Sequence, residues 1–199
     1  EADIKQRCHA ALRLILNDYR MFSVSTIHCP DCPPQQIPQQ VAHYVREAHS
    51  KYQGDILAFL PGEAEIAKCE EMLSGAFSNT LICPLYGMLP ADKQQIAIRP
   101  SLNGQRKVVL TTSIAETSLT IEGIRIVVDS GYCKPQIFDP NTGLPRLETV
   151  RISTYMADQR RGRAGRMAEG VCYRLWTTVT EAQMKPHRTP EIEHTDLSQ

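Results

Sequence analysis

The chain has 199 residues, of which 42% are hydrophobic and 22% charged, and its formal net charge is zero. This composition is typical of one globular domain with a full core, and it argues against a protein that coats nucleic acid by overall positive charge. No apolar run approaches the ~20 residues that span a bilayer, and seven scattered cysteines argue against a disulfide framework and for a reducing, cytoplasmic location.

The two ends of the chain predict a piece of a longer protein. It begins at Glu1 without methionine and without a signal-peptide pattern. Apolar residues at helical spacing near the start predict an amphipathic helix, and the end is rich in proline and scattered charges. We therefore divide the chain into an N-terminal helix (1–20), a main domain (21–180) and a truncated connection to a following domain (181–199).

Strands and helices alternate through most of the main domain. A first strand is predicted at 22–27, followed by a proline-rich loop at 29–38 and a helix at 41–52. Further strands are predicted at 56–60, 80–84, 107–111 and 124–129, with helices at 63–73 and 91–98. Strands this apolar, joined by helical crossovers, predict an α/β fold in which a mostly parallel sheet is covered on both faces.

The pattern changes after residue 129. Two extended runs, at 135–139 and 146–152, are joined by the turn-forming tetrapeptide Pro-Asn-Thr-Gly and predict a β-hairpin. A helix is predicted from Tyr155, with Ser153 or Thr154 as its cap, and a last strand at 171–175.

The most basic stretch lies at 159–166, which reads Gln-Arg-Arg-Gly-Arg-Ala-Gly-Arg. Four arginines and no acidic residue favour contact with a polyanion, and the two glycines allow the backbone to approach it closely. Arg160, Arg163 and Arg166 are spaced three apart, which places them on one side of a helix or tight turn. Residues 134–174 carry a net charge of +4, so positive charge is concentrated on one part of a neutral domain.

A second polar segment, at 111–123, is crowded with hydroxyls and lies between two strand-like runs. Hydroxyls at the end of a buried strand suit a loop that binds phosphates or sugars. The alternative is that several of them cap the short segment at 114–118 or bond back to its backbone.

Together these segments resemble motifs V (111–123) and VI (159–166) of the DEAH/RHA group of superfamily 2 helicases. Residues 56–62 resemble motif IV, and the Pro-Leu-Tyr-Gly-Met-Leu-Pro segment at 84–90 has a counterpart too. Within the group, residues 120–123 and 138–144 are most similar to the bacterial HrpB type. The resemblance covers about residues 55–177 and implies a RecA-like three-layer fold with a projecting hairpin.

The resemblance implies catalytic roles in motif VI. Arg163 and Arg166 would act as arginine fingers on the γ-phosphate of ATP, because a planar, permanently charged fork stabilises the charge that spreads over the oxygens during phosphoryl transfer. Gln159 would position the attacking water or a phosphate oxygen. The structural alternative pairs these arginines with Asp158 and Glu169.

Motif V and motif IV carry the implied binding roles. Ser118 would lie near the attacking water, and Thr120 and Glu122 would face the ribose. Nucleic acid would be contacted by Thr112, by Ser113, where relatives often have asparagine, and by Gly62. For Gly62 an ordinary strand-ending turn is the alternative. The predicted hairpin resembles one that relatives wedge near the duplex junction, and the alternative is a simple sheet extension.

The nucleobase has no predicted aromatic partner. Ile98 occupies the position at which eukaryotic relatives often place a phenylalanine. The resemblance therefore implies weak base discrimination, so the cofactor is ATP or another NTP.

The chain lacks two motifs that an ATPase site needs. It has neither a Gly-x-x-x-x-Gly-Lys-[Ser/Thr] phosphate loop nor an Asp-Glu-x-His box. We interpret it as the C-terminal motor lobe of an ATP-dependent helicase, inactive alone, with ATP and Mg²⁺ held mainly by an absent first lobe and no metal ligands of its own. The expected partners are that lobe and single-stranded or duplex nucleic acid, with RNA as the expected substrate, and no membrane.

Three other interpretations are open. The chain could be a non-enzymatic RecA-like module that binds RNA or protein with degenerate ATP machinery, against which the intact motif VI speaks. It could also be another superfamily 2 motor that acts on protein or duplex DNA without unwinding. A zinc site at Cys29 and Cys32 lacks an obvious second ligand pair.

Overall fold

The computed structural model describes residues 22–101, 104–116, 120–139 and 144–187. The helix predicted near the N-terminus, Ser118 and the tetrapeptide turn of the hairpin lie outside these ranges. In the described part of the chain, every helix is too short or too polar to cross a membrane.

A six-stranded, fully parallel sheet forms the centre of the fold, as the sequence predicted. The strands in this sheet are β1 (Val24–His28), β2 (Asp55–Phe59), β3 (Thr80–Leu85), β4 (Arg106–Thr111), β5 (Ile124–Asp129) and β10 (Gly170–Arg174). Their spatial order is β1-β10-β5-β2-β4-β3.

Five α-helices are present in the described ranges: α1 (Ile37–Lys51), α2 (Glu63–Leu73), α3 (Ala91–Ile98), α4 (Thr154–Gly162) and α5 (Thr178–Gln183). The predicted bounds of α2 and α3 are confirmed. The predicted loop at 29–38 is wrong at its end, since α1 begins four residues before the predicted start at Val41. Pro38 is accommodated in the first turn of α1, where a missing N–H is not needed.

Two apolar clusters cover the two faces of the sheet. One contains buried side chains of α1 and α2, among them Val45 and Ile66. The other contains Ala97 of α3, Ala164 near the end of the arginine run, and Ala115 and Ile121 of the β4–β5 connection. The arginine run and this connection therefore share one face of the sheet, opposite α1 and α2.

The predicted hairpin is present, but its second strand is shorter than predicted. β7 (Gln136–Asp139) pairs antiparallel with β8 (Leu144–Leu147). The run at 146–152 is not one strand, because β9 (Val150–Arg151) pairs instead with β6 (Tyr132–Cys133). Ile152 then enters a small core with Trp176, which anchors this end of the run in the domain. The hairpin thus stands on a second two-stranded ladder.

Gly131, at the start of this ladder, has a conformation and surroundings that only glycine fits. Its φ is +80°, and an added Cβ would lie 2.7 Å from Trp176 Cε3 and 3.0 Å from Arg151 Nη1. Gly75 also has a positive φ, +69°, but a Cβ there would meet nothing within 4 Å. Comparing substitutions at the two glycines therefore separates the cost of backbone strain from the cost of steric overlap.

We expect Gly131→Ala to destabilise the fold clearly more than Gly75→Ala. Gly75→Ala carries only the positive-φ cost of about 1–2 kcal/mol, whereas Gly131→Ala adds overpacking of about 1–3 kcal/mol. Urea unfolding followed by fluorescence of Trp176, the only tryptophan, measures the unfolding midpoints of both variants. Equal midpoints for the two variants would contradict the tight contact.

Candidate functional site

The arginine run begins in α4 and continues beyond its end. Ser153 caps α4 by accepting a hydrogen bond from the Met156 backbone N–H at 3.2 Å, which confirms one of the two predicted caps. The helix ends at Gly162, and a 3₁₀ turn (Arg163–Gly165) follows. The change of helix type places the successive arginines in different surroundings.

Arg160 is fully buried and paired, so the expectation that all four arginines face a polyanion is wrong for this one. Its Nε donates to Glu116 Oε1 at 2.7 Å and its Nη1 donates to Asp129 Oδ1 at 2.8 Å. Its guanidinium also lies over the Phe59 ring, 4.7 Å from the centroid. Burial acts to lower the pKa of Arg160, but Asp129 and Glu116 outweigh it and leave the pKa raised.

Arg163 is also buried, at 5% exposure, and its Nη2 donates to the backbone oxygen of Glu116. Burial, reinforced by the nearby charge of Arg166, lowers the pKa of Arg163 to about 10. The guanidinium therefore remains charged at neutral pH. It lies beneath the surface, against the polar segment that precedes β5.

Arg166 is exposed, and its Nη1 donates to Thr120 Oγ1 at 2.8 Å. Gln159 is exposed as well. The structural alternative pairs Arg163 and Arg166 with Asp158 and Glu169. For Asp158 this alternative is wrong, because Asp158 pairs with Arg174 at 2.7 Å and more loosely with Arg161 at 3.8 Å.

The three arginines spaced three apart all reach the same short segment. Arg160 and Arg163 contact Glu116, and Arg166 contacts Thr120. The sequence between these two contacts contains Ser118, which lies outside the described residues. Motifs V and VI are thus in contact at Glu116 and at Thr120.

Glu122 lies at the other end of this segment. It is exposed and directly precedes Gly123, whose backbone oxygen accepts a hydrogen bond from the Asp55 N–H at 3.0 Å. Gly123 has φ +84°, and a Cβ there would lie 2.7 Å from Asp55 Oδ2. Glu122 is therefore held at the amino ends of β2 and β5.

The three predicted nucleic-acid residues lie at the opposite, carboxyl edge of the sheet. Gly62 follows β2 and is the N-cap of α2, whereas Thr112 and Ser113 follow the neighbouring strand β4. The two strand ends are joined by the hydrogen bond from Leu60 N–H to Thr111 O at 2.8 Å. Gly62 belongs to the α2 side of the sheet and is not brought together with the arginines.

The hydroxyls of this edge are not used as helix caps. Within the described residues, Thr112 precedes a short 3₁₀ turn (Ser113–Ala115) without a capping bond from its side chain. Ser113 is exposed. Both are therefore open to a phosphate, and the capping alternative does not hold for Thr112.

Lys134 is a neighbour of Gly62 that sequence reasoning missed. Its Nζ is held by both carboxylate oxygens of Glu65, at 2.7 and 2.9 Å, and an added Cβ on Gly62 would lie 3.0 Å from its Cδ. The only sequence signal for the proximity of Lys134 to Gly62 was its location directly before the hairpin. Glu116 and Asp129 were missed too, because a carboxylate's distant arginine partner leaves no local signal.

No metal-binding group is formed in the described ranges, where clusters of three or more His, Cys, Asp and Glu side chains are absent. Cys29 and Cys32 are buried free thiols. Burial raises the pKa of both, that of Cys32 to about 11, which disfavours the thiolate that zinc needs.

Ile98 ends α3 half-buried and packs against the second cluster. It offers an aliphatic surface rather than a ring to a neighbouring base. Elsewhere, in the arginine run, Arg166 and Gln159 are exposed hydrogen-bond donors, and such donors suit a nucleotide's phosphates.

Comparison with known proteins gives one consistent result. The family described as "Helicase conserved C-terminal domain" matches residues 37–168. The ATP-dependent RNA helicase HrpB of Escherichia coli K12 is 42% identical over 186 residues, which is 93% of this chain and 23% of that protein. The pre-mRNA-splicing factor ATP-dependent RNA helicase prp22 of Schizosaccharomyces pombe is 45% identical over 153 residues, 73% of this chain and 13% of that protein.

Solved structures agree with the sequence comparison. The crystal structure of E. coli DExH-box NTPase HrpB superposes with a TM-score of 0.84 at 43% identity, covering 90% of this chain and 22% of that one. A structure titled E. coli DEAH/RHA helicase HrpB gives 0.83 at the same identity, covering 90% and 23%. The chain thus spans less than a quarter of the length of these relatives.

Proposed function

Because the chain belongs to the helicase conserved C-terminal domain family, as the second RecA-like domain of a DEAH/RHA-type helicase, we propose that it is a motor lobe that completes an ATPase site. The convergence of Arg160, Arg163 and Arg166 on the segment that contains Glu116 and Thr120 carries this proposal. It brings the two motifs into contact, and Arg166 and Thr120 are exposed there, where a nucleotide could approach.

Arg166 and Arg163 are the proposed arginine fingers. Arg166 is exposed, so its guanidinium can extend toward a γ-phosphate when a first lobe closes. Arg163 lies deeper and would approach from the side of Glu116. ATP, when bound, supplies the phosphoryl group whose transfer to water releases free energy. The two guanidinium groups would stabilise charge that develops on the phosphate oxygens.

The remaining site residues have proposed binding roles. Gln159, exposed on α4, would position water or a phosphate oxygen, with Ser118 close to that water. Thr120 and Glu122 would face the ribose. Mg²⁺ would be held by the first lobe, since the described residues of this chain offer no suitable cluster.

We assign the nucleic-acid contacts to the carboxyl edge of the sheet. Gly62, Thr112 and Ser113 would bind backbone phosphates through N–H and hydroxyl groups, so sequence preference should be low. RNA is the proposed substrate because the two curated relatives are named RNA helicases. Alternate closing and opening of the lobes would move the strand stepwise.

The whole protein is proposed to be an ATP-dependent helicase located in the cytoplasm. The predicted division at 1–20, 21–180 and 181–199 remains part of this proposal. α5 (Thr178–Gln183) runs across the second boundary, and Glu181 anchors it by accepting from Arg174 at 2.8 Å and Trp176 at 2.9 Å. The folded unit therefore extends a little beyond residue 180.

The isolated chain is expected to bind ATP very weakly and to hydrolyse none. It has no phosphate loop and no Asp-Glu-x-His box, so phosphate grip and water activation must come from elsewhere. Steady-state ATPase with saturating Mg²⁺ and RNA, on this chain and on the full-length protein in parallel, tests the proposal.

Each outcome of that comparison has a definite meaning. Turnover by the full-length protein alone supports the motor-lobe proposal. Turnover by the isolated chain above a purified inactive control would contradict it. If neither protein hydrolyses ATP, the non-enzymatic RNA- or protein-binding module is favoured instead.

A further inference from the structure

A buried charged cluster lies directly beneath the proposed fingers. Arg160 is its centre, with Glu116 on one side and Asp129 on the other. Its Nη1 also donates to the Tyr132 backbone oxygen at 3.2 Å. Since both ion pairs and the Phe59 ring surround one fully buried guanidinium, Arg160 has little freedom to pivot.

Glu116 connects this cluster to the finger. Its carboxylate is held by Arg160, with 2.6 Å between Oε1 and Nη2. Its backbone oxygen accepts the hydrogen bond from Arg163 Nη2. Because the carboxylate and the carbonyl belong to one residue, fixing the first restricts where the second lies.

We propose that Glu116 and Arg160 are a positioning pair that sets the location of the Arg163 guanidinium for ATP hydrolysis. Neither residue would touch the nucleotide. The inference rests on the proposed function, because it presumes that Arg163 acts on a phosphate. It adds a role for two residues that the arginine-finger assignment leaves unused.

The location of the cluster supports positioning rather than stability alone. A buried ion pair is by itself weak support for a stability role, since a well-packed apolar replacement often does as well. Here the pair links three segments: α4 through Arg160, the motif V segment through Glu116, and the hairpin's base through Asp129 and Tyr132. An apolar core could fill this space but could not direct the Glu116 carbonyl.

The first measurement compares two Glu→Gln variants of the full-length protein. Glu116→Gln keeps size and backbone but weakens the pair with Arg160. We expect kcat to fall by up to about 10²-fold, the scale for a misplaced catalytic group, with KM for ATP nearly unchanged. Glu47→Gln is the matched control, since it breaks an ion pair with Lys51 on α1, and it should leave kcat normal.

A double-mutant cycle then asks whether Glu116 acts through Arg163. The Glu116→Gln and Arg163→Ala effects on single-turnover hydrolysis should be strongly non-additive, because the second variant removes the group that the first misplaces. Arg166 contacts Thr120 rather than Glu116. The Glu116→Gln and Arg166→Ala effects on the rate should therefore come much closer to multiplying.

Three results would overturn the inference. One is a Glu116→Gln protein with a lower unfolding midpoint but normal kcat per folded molecule. Another is full multiplication of the Glu116→Gln and Arg163→Ala effects. If Glu116→Gln does not fold, Arg160→Lys serves instead, because an ammonium keeps the charge but cannot span Glu116 and Asp129. The third overturning result is a normal kcat in Arg160→Lys.

Failure of the proposed function is recognised separately. Arg163→Ala alone, in the otherwise unchanged protein, reports whether Arg163 is a finger at all. Near-normal kcat in that variant would remove the finger assignment and the positioning role with it. If Arg163→Ala does lower kcat strongly but the Glu116→Gln and Arg163→Ala effects on the rate multiply, only the positioning role is removed.

Discussion

Arg166→Ala in the full-length protein is expected to lower kcat for ATP hydrolysis by about 10³-fold or more, the scale of an arginine finger. Arg166 is exposed and bonded to the surface hydroxyl of Thr120, so its loss should leave the unfolding midpoint unchanged. Nucleotide affinity should fall much less than kcat, because the first lobe would supply most ground-state binding. Steady-state kinetics with RNA present gives both constants.

Arg163→Ala is expected to lower kcat by a similar factor but to cost stability too. Arg163 is buried against Glu116, and removing a buried donor costs about 1–3 kcal/mol. Arg163→Lys should not restore turnover, because an ammonium cannot span two phosphate oxygens. Kinetics and thermal unfolding on the same preparations separate the two effects.

Arg161→Ala is the matched control within the same run. Arg161 contacts the Val24 backbone oxygen at 3.4 Å and Asp158, and neither residue belongs to motif V. It should retain near-normal kcat. If Arg161→Ala were as damaging as Arg166→Ala, or if both finger variants kept normal kcat, the fingers would be misassigned.

Removal of the hairpin is expected to abolish most strand separation while ATP hydrolysis persists. Among the strands of the described ranges, β7 and β8 pair only with each other, and Leu144 and Leu147 are exposed on β8. A projecting strand pair can obstruct a duplex while one strand passes, and this requires no contact with ATP. The measurement is duplex separated per ATP hydrolysed.

The structure fixes how much of the segment can be removed. Residues 136–147 can be replaced by a short Gly-Ser turn, because the Glu148 N–H already donates to Pro135 O at 3.3 Å across the base. Removal through Ile152 would destroy the β6–β9 ladder and the packing against Trp176. An intact thermal transition is therefore required of the variant.

A gentler variant serves as the hairpin's control. Leu144→Ser with Leu147→Ser keeps both strands but removes the exposed apolar side chains, so it separates an apolar contact with bases from simple obstruction. If the turn replacement unwinds duplexes at the normal rate per ATP, the hairpin is only an extension of the fold and the wedge hypothesis is wrong.

Local patterns predicted most of the fold. α2 and α3 begin and end where the sequence predicted, and the ends of the core strands differ from the predicted ones by at most two residues. Periodicity and turn chemistry are properties of neighbouring residues, so they can be found in one sequence. One error arose where a partner decides, since β9 pairs with β6 rather than extending β8. The other error is local, because Pro38 is tolerated in the first turn of α1.

The motif pattern also singled out two segments that the structure brings into contact, but not the burial of each side chain. Arg160, Arg163 and Arg166 have the same residue type, the same spacing and the same target segment. Nothing local distinguishes the buried Arg160 from the exposed Arg166. The difference follows from Glu116 and Asp129, which reach Arg160 from the β4–β5 connection and from the end of β5.

The sequence by itself determined the family, the parallel α/β architecture, the hairpin and the meeting of motifs V and VI, because these depend on short-range patterns and ordered motifs. The tertiary structure decided which charges are compensated inside the domain and which remain at its surface. Burial of a charge depends on an oppositely charged partner that the sheet brings within hydrogen-bonding distance. For Arg160 those partners are 31 and 44 residues away in the chain, beyond the reach of any local pattern.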